Sequence, residues 1–105
     1  MSNLASLQAM LAKGVDNSLL RFGLGKALLD AGDAAQAVLH LQRCVEQDPL
    51  YSAAWKLLGK ALLDSGEAQA ARQAWSQGQA AALQKGDKQA EKEMGVFLRR
   101  LERRS

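Results

Sequence analysis

The residues that come nearest to a known chemical motif lie close to the start of the chain. Gly23, Leu24, Gly25 and Lys26 suggest the glycine-rich loop whose backbone amides hold a nucleotide phosphate. That loop needs the spacing G-x4-G-K-[ST] after a β-strand, and its hydroxyl binds Mg²⁺. Here the spacing is shorter, and Ala27 stands where the hydroxyl would be. The segment also lies inside a helical pattern, so we expect no nucleotide cofactor.

The single histidine and the single cysteine offer little further chemistry. His40 has no second histidine to share a metal ion with, and we expect it on a helix surface. Cys44 rules out an intrachain disulfide and has no base in view, so we expect a buried, inert thiol. Asp30 and Asp64 occupy equivalent positions 34 residues apart and do not form an acid/base pair. We predict no metal site, no catalytic residue, no cofactor and no enzyme activity.

The composition predicts an all-α fold. Ala and Leu supply 37 of the 105 residues, and together with Glu, Lys and Arg they supply 56. The sequence has no Ile, no Thr and only four Val, which leaves a β-sheet almost without its preferred side chains. A hydrophobic content of 48% also argues against disorder.

The net charge of +3 is concentrated at the C-terminal end. Residues 1–84 carry seven basic and seven acidic side chains, whereas residues 85–105 carry seven basic and four acidic ones. A basic end suits nucleic acid, an acidic protein or an anionic membrane, or it complements the dipole of a solvated helix. The start does not read as a secretory signal, and no apolar run is long enough to span a bilayer. We therefore expect a cytoplasmic protein without membrane contact.

A 34-residue repeat organises the chain. The sequence LGKALLD occurs at residues 24–30 and again at 58–64, and 11 of 32 residues are identical when 18–49 is aligned with 52–83. Each unit reads as two helices with a glycine between them, Gly32 in the first and Gly66 in the second. The first unit ends before Pro49, and the last helix of the second unit is predicted to continue to Gly86.

This repeat resembles the tetratricopeptide repeat, whose pattern is W-x2-L-G-x2-Y, then A-x3-F, then P. The second unit carries the pattern at Trp55, Leu58, Gly59, Ala71 and Trp75. The first unit carries it at Leu24, Gly25, Ala37 and Pro49, and departs from it at Arg21, Leu28 and Leu41. We expect both tryptophans in the core, and we expect Ala37 and Ala71 to face the two mid-helix glycines. The proportions are similar to those of small stand-alone bacterial proteins of this class.

The resemblance implies an α-solenoid of about six helices, which forms one domain over residues 1–105. We expect an N-terminal capping helix in 3–16, repeat 1 in 17–50, repeat 2 in 51–86, and a C-terminal capping helix in 87–105. The last segment carries an apolar stripe at helical spacing and a charged outer face, as a solenoid cap requires.

In tetratricopeptide arrays, the first helix of each repeat lines a concave groove that binds peptides. The resemblance implies a groove with cations interleaved among apolar side chains, formed by Leu19, Phe22, Lys26, Leu29, Lys56, Lys60, Leu63, Lys92, Val96 and Arg99. The position of Arg99, Lys92 and Val96 depends on a register shift of two residues. Phe22 and Lys26 replace residues of the carboxylate clamp that some members carry, so that clamp is not predicted here.

We therefore predict a non-enzymatic interaction module or adaptor that binds a peptide or helix, acidic and with apolar anchors. One alternative is a small chaperone for a secreted or aggregation-prone helical partner. A second is nucleic-acid contact through the basic end at Arg99–Arg104, although the chain lacks the aromatic stacking surface of single-strand binders. Self-association into a weak homodimer is a further expectation.

Overall fold

The computed structural model describes residues 3–104. Met1 and Ser2, at the start of the predicted domain, and Ser105, at the end of the predicted C-terminal cap, lie outside the described residues. This part of the chain contains helices and no β-strand, which confirms the predicted all-α fold. The six helices are α1 (Asn3–Ala12), α2 (Ser18–Asp30), α3 (Ala34–Gln47), α4 (Ser52–Asp64), α5 (Ala68–Lys85) and α6 (Lys88–Arg104).

The helix ends follow the signals in the sequence. Gly32 and Gly66 follow α2 and α4 with φ of 85° and 82°, the left-handed conformation that glycine adopts without strain. Gly86 ends α5 in the same conformation. At the start of α2, the side chain of Asn17 accepts a hydrogen bond of 2.8 Å from the amide of Leu20. Helices α2 and α4 therefore end next to the predicted glycines, and α5 ends at Gly86 as predicted.

The helices pack as successive hairpins along one direction. The pairs α2/α3 and α4/α5 form two hairpins, α3 packs on α4, and α5 packs on α6. Helix α1 packs on α2, so it covers the outer side of the first hairpin. The molecule measures 42 × 28 × 21 Å. This is the α-solenoid that the repeat implies; its division at residues 17, 51 and 87 stays a prediction.

Two glycines inside helices allow the close approach of each hairpin pair, but their neighbours differ from those predicted. A Cβ atom on Gly25 would overlap the side chain of Leu41, and one on Gly59 would overlap the indole of Trp75. The prediction that Ala37 and Ala71 face these glycines is therefore wrong. A helical side chain leans toward the N-terminus of its helix, so the glycine is covered by the residue one turn further along.

The beginning of α6 is fixed to α4 by a partly buried hydrogen bond. Ser52, which is 2% exposed, donates a hydrogen bond of 2.7 Å from its hydroxyl to the carboxylate of Asp87. The same carboxylate accepts a bond of 3.1 Å from the amide of Ala90, and so caps the first turn of α6. These bonds lower the pKa of Asp87, the bond from Ser52 most. The cap thus sets where α6 begins relative to α4.

Trp75 lies in the core, as predicted, with 4% of its surface exposed. Its ring lies 5.1 Å from the ring of Phe97, and its indole N–H donates a bond of 3.0 Å to the carbonyl of Lys56. Trp55 is only partly buried against the core and donates a bond of 2.8 Å to the carbonyl of Pro49. Trp75 thus joins α4, α5 and α6.

Candidate functional site

The predicted groove corresponds to the side on which α2, α4 and α6 lie next to one another, here called the α2/α4/α6 face. Helix α4 contacts both α2 and α6. The repeat places an equivalent lysine and leucine on α2 and on α4. Lys26 on α2 and Lys60 on α4 are exposed, whereas Leu29 and Leu63, three residues later, are half-buried against the core.

At the N-terminal end of this face, two aromatic rings join α2 to the start of α4. The rings of Phe22 and Tyr51 stack with their centres 5.0 Å apart and their planes at 22°. The ammonium of Lys85 lies 5.9 Å from the centre of the Tyr51 ring, within the range of a cation–π contact. Burial raises the pKa of Tyr51. Phe22 is thus held by its neighbours, while Leu19, one turn earlier, is 72% exposed.

Two of the predicted groove lysines form ion pairs. The ammonium of Lys56 lies 2.7 Å from the carboxylate of Glu93, with both side chains more than half shielded from solvent. This bond from Lys56 lowers the pKa of Glu93. Lys26 pairs with Asp30 at 3.4 Å, but both side chains are at least 60% exposed. An exposed pair of this kind contributes about 0–1 kcal/mol, so Lys26 stays accessible to a ligand.

Near the C-terminal end of the face, a pocket of about 420 Å³ opens between α4 and α6. Here it is called the α4/α6 pocket. Trp75 and Leu101 are buried at its base, and Phe97 is half-buried beside them. The exposed side chains around it are Lys60, Asp64, Arg100 and Arg104, and Leu63 completes the lining. Such a site can hold an apolar group with a negative charge beside it.

The structure brings only some of the predicted residues together. Lys60 and Leu63 line the α4/α6 pocket, and the other eight predicted residues do not. Lys92 and Arg99 are exposed on α6, and Val96 is half-buried there. Gly95 of α6 faces Gln79 of α5. A Cβ atom added to Gly95 would also lie 3.7 Å from the guanidinium of Arg99. Contact of these side chains with a ligand stays a prediction.

Sequence reasoning missed five residues that shape this face: Tyr51, Glu93, Phe97, Arg100 and Arg104. Arg100 and Arg104 were assigned only to the basic end, yet both line the pocket. The apolar stripe of α6 offered a signal for Phe97, which lies one turn before Leu101. No signal in the sequence indicated the pairing of Glu93 with Lys56. The two residues are 37 positions apart, and the 34-residue period does not relate their positions.

A polar cluster joins the loop after α1 to α2 and α3, away from the pocket. Asp16 accepts two bonds of 2.8 Å from Arg21 and one of 2.9 Å from Gln47, and the bonds from Arg21 lower its pKa most. Arg21 also lies 3.1 Å from Nδ1 of His40, whose pKa is lowered mainly by burial. Each of these side chains takes part in a hydrogen bond within the cluster, so we assign the cluster a structural role.

The remaining candidates for chemistry give no site. Cys44 is fully buried, as predicted, and its thiol donates a bond of 3.2 Å to the carbonyl of Ser18. Among residues 3–104, no three His, Cys, Asp or Glu side chains are grouped so that they could hold a metal ion. None of the described helices is both long enough and apolar enough to span a membrane.

Comparisons with known proteins bear on the repeat and on the fold. A sequence profile of the tetratricopeptide repeat matches residues 22–85. A TPR repeat-containing protein of Pseudomonas aeruginosa is 69% identical over 97 residues, which are 92% of each chain.

Two solved structures share the fold. The solution structure of a protein from Bordetella parapertussis is 49% identical, with a TM-score of 0.86 over 99% of this chain and 90% of that one. The crystal structure of MamA is 19% identical, with a TM-score of 0.69 over 93% of this chain and 64% of that one. The second likeness concerns the fold alone.

Proposed function

The chain belongs to the tetratricopeptide repeat family, and from that membership we propose that it binds an acidic peptide or helix with apolar anchors along α2, α4 and α6. Members of this family act in general as protein-interaction modules and not as enzymes. The chemistry of the partner is the part that this proposal adds.

One observation carries the proposal. The exposed Lys26 beside the half-buried Leu29 on α2 recurs as Lys60 beside Leu63 on α4. Because α2 and α4 are neighbours, the repeat sets two matching pairs of a cation and an apolar side chain side by side. A ligand that crosses both helices meets the same chemistry twice. Carboxylates complement the lysines, and aliphatic or aromatic side chains complement the leucines.

The exposed cations of this face and its apolar pocket argue against the two alternatives. A chaperone for an apolar helix needs a groove with few charges, whereas this face carries exposed cations on all three helices. Nucleic-acid contact through the C-terminal end would use Arg100 and Arg104, but these side chains border an apolar pocket. A peptide with both carboxylates and apolar side chains uses both features of the face.

The test captures partners from a lysate of cells that make the protein. It compares the tagged chain with two folded variants of equal charge: Lys26→Glu with Lys60→Glu, and Lys13→Glu with Lys88→Glu. The control pair is exposed and lies outside the predicted groove and the α4/α6 pocket. We expect a partner that the wild type and the control pair retain and that the groove variant loses. Its affinity should lie near the micromolar range, about −8 kcal/mol, and should fall as salt is raised.

A partner that all three proteins retain equally would contradict the proposal and move the site to another surface. If none of the proteins retains a partner, the proposal also fails, and light scattering would then test the predicted homodimer. Binding that is displaced by single-stranded nucleic acid, with a steep dependence on salt, would favour the nucleic-acid alternative.

A further inference from the structure

The α4/α6 pocket opens where the bonds between the two helices end. Ser52 and Asp87 join the helices at their N-terminal ends, and Lys56 and Glu93 join them in their second turns. Beyond these residues the helices are separated by the pocket of about 420 Å³. This volume lies within the range of roughly 300–1,000 Å³ for pockets that bind small ligands. The opening is large enough for one bulky side chain.

The chemistry of the pocket changes between its base and its rim. Buried Trp75 and Leu101 and half-buried Phe97 supply an apolar base. The rim holds three cations against one carboxylate: Lys60, Arg100 and Arg104 against Asp64. Within residues 3–104, none of these four side chains forms an ion pair with another residue. The rim cations are therefore free to meet an anionic group.

The spacing of the rim cations fits an extended chain. Arg100 and Arg104 are four residues apart on α6, a rise of about 6 Å. In an extended peptide, residues two positions apart point to the same side and lie about 6.6 Å from each other. For a peptide that runs along α6, an apolar side chain directed into the base beside Leu101, at the level of Arg100, would therefore bring a carboxylate two positions away to the level of Arg104.

We propose that the α4/α6 pocket receives an internal apolar side chain of leucine or phenylalanine size from an extended acidic peptide, with an acidic residue two positions away bound at its rim. The inference rests on the proposed function for the path of the peptide, because Lys60 and Leu63 belong to both sites. It adds the place and the spacing of one anchor.

The test uses short peptides and the NMR signals of the pocket itself. The probe is a seven-residue peptide with both ends blocked, with leucine at its centre and glutamate two positions to either side. We expect saturable shifts of the methyl signals of Leu63 and Leu101 and of the indole signal of Trp75, with a Kd of about 1 mM. Replacing the central leucine by alanine, or both glutamates by glutamine, should weaken binding about tenfold.

Two protein variants test the rim. Arg100→Glu with Arg104→Glu should weaken the probe about tenfold. Lys88→Glu with Arg103→Glu makes the same change in net charge at exposed positions that do not line the pocket, and it should leave binding unchanged. Circular dichroism should show that both variants are folded.

Three outcomes would overturn the inference. The first is the absence of saturable shifts at Leu63, Leu101 and Trp75 for the wild type. The second is tighter binding of N-acetylleucine, which would assign the pocket to a free C-terminal carboxylate. The third is equal loss in both protein variants, which would reduce the effect to net charge. The lysate capture does not depend on these results, so a failed pocket and a failed groove can be told apart.

Discussion

Gly59 on α4 lies directly against the indole ring of Trp75 on α5, with no room for a methyl group between them. The same ring packs on Phe97 of α6 and hydrogen-bonds the backbone of α4. A glycine inside a helix costs up to about 1 kcal/mol relative to alanine, so the close contact must offset that cost. One ring thereby fixes three helices around the base of the α4/α6 pocket.

Replacing this glycine should destabilise the protein, although alanine is the better helix former. We expect Gly59→Ala to lower the free energy of unfolding by roughly 1–3 kcal/mol, because the added Cβ overlaps a buried ring that cannot move freely. Urea denaturation measures this change. Gly23→Ala is the matched control, since its Cβ would meet only the end of Leu7 at 3.3 Å. It should be neutral or stabilising, and an unchanged midpoint for Gly59→Ala would refute the packing described.

The single histidine should make stability depend on pH. Burial lowers the pKa of His40, and the neighbouring Arg21 adds to this effect. The folded state therefore favours neutral His40. Its contribution to stability is complete above the unfolded pKa of about 6.5 and is lost as the pH falls through the folded value.

An NMR titration of the His40 ring should give a pKa below 6.5. The urea concentration at the unfolding midpoint should decrease as the pH is lowered from about 7 to about 5.5. His40→Gln should flatten that slope. A ring that titrates at or above its usual pKa would contradict the arrangement with Arg21.

The buried thiol should resist modification in the folded protein. Burial, with a smaller effect from Asp48, raises the pKa of Cys44 to about 11. The thiolate is the reactive form, so little of it exists at about pH 8. We expect a thiol reagent to label native Cys44 slowly and to label it at once in concentrated urea. Fast labelling of the folded chain would show that the core around α3 opens readily.

The sequence allowed the helices to be placed because their ends depend on local chemistry. Gly32, Pro49 and Gly86 act through backbone conformation, which is legible without a structure. The partners of Gly25 and Gly59 were predicted wrongly because they depend on how side chains lean between helices. A repeat period fixes which helices meet, but it does not fix which turn of one helix covers a glycine on the other.

The candidate site was predictable only where the repeat is complete. Lys60 and Leu63 follow from their equivalence to Lys26 and Leu29, since 34 residues separate the two sets. Helix α6 is half a repeat and follows a linker of different length, so its rotation could not be derived from the period. The pairing of Glu93 with Lys56 and the place of Arg100 at the pocket depend on that rotation.

Within residues 3–104, helix α1 has no buried residue and packs on α2 alone among the helices. In a solenoid, each unit is stabilised mainly by its nearest neighbours, so local opening at one end need not disturb the other. The free energy that separates an open α1 from a closed one is therefore smaller than that of global unfolding. Amide hydrogens of α1 should accordingly exchange with deuterium long before those around Trp75. Local opening should therefore cost less free energy at α1 than around Trp75.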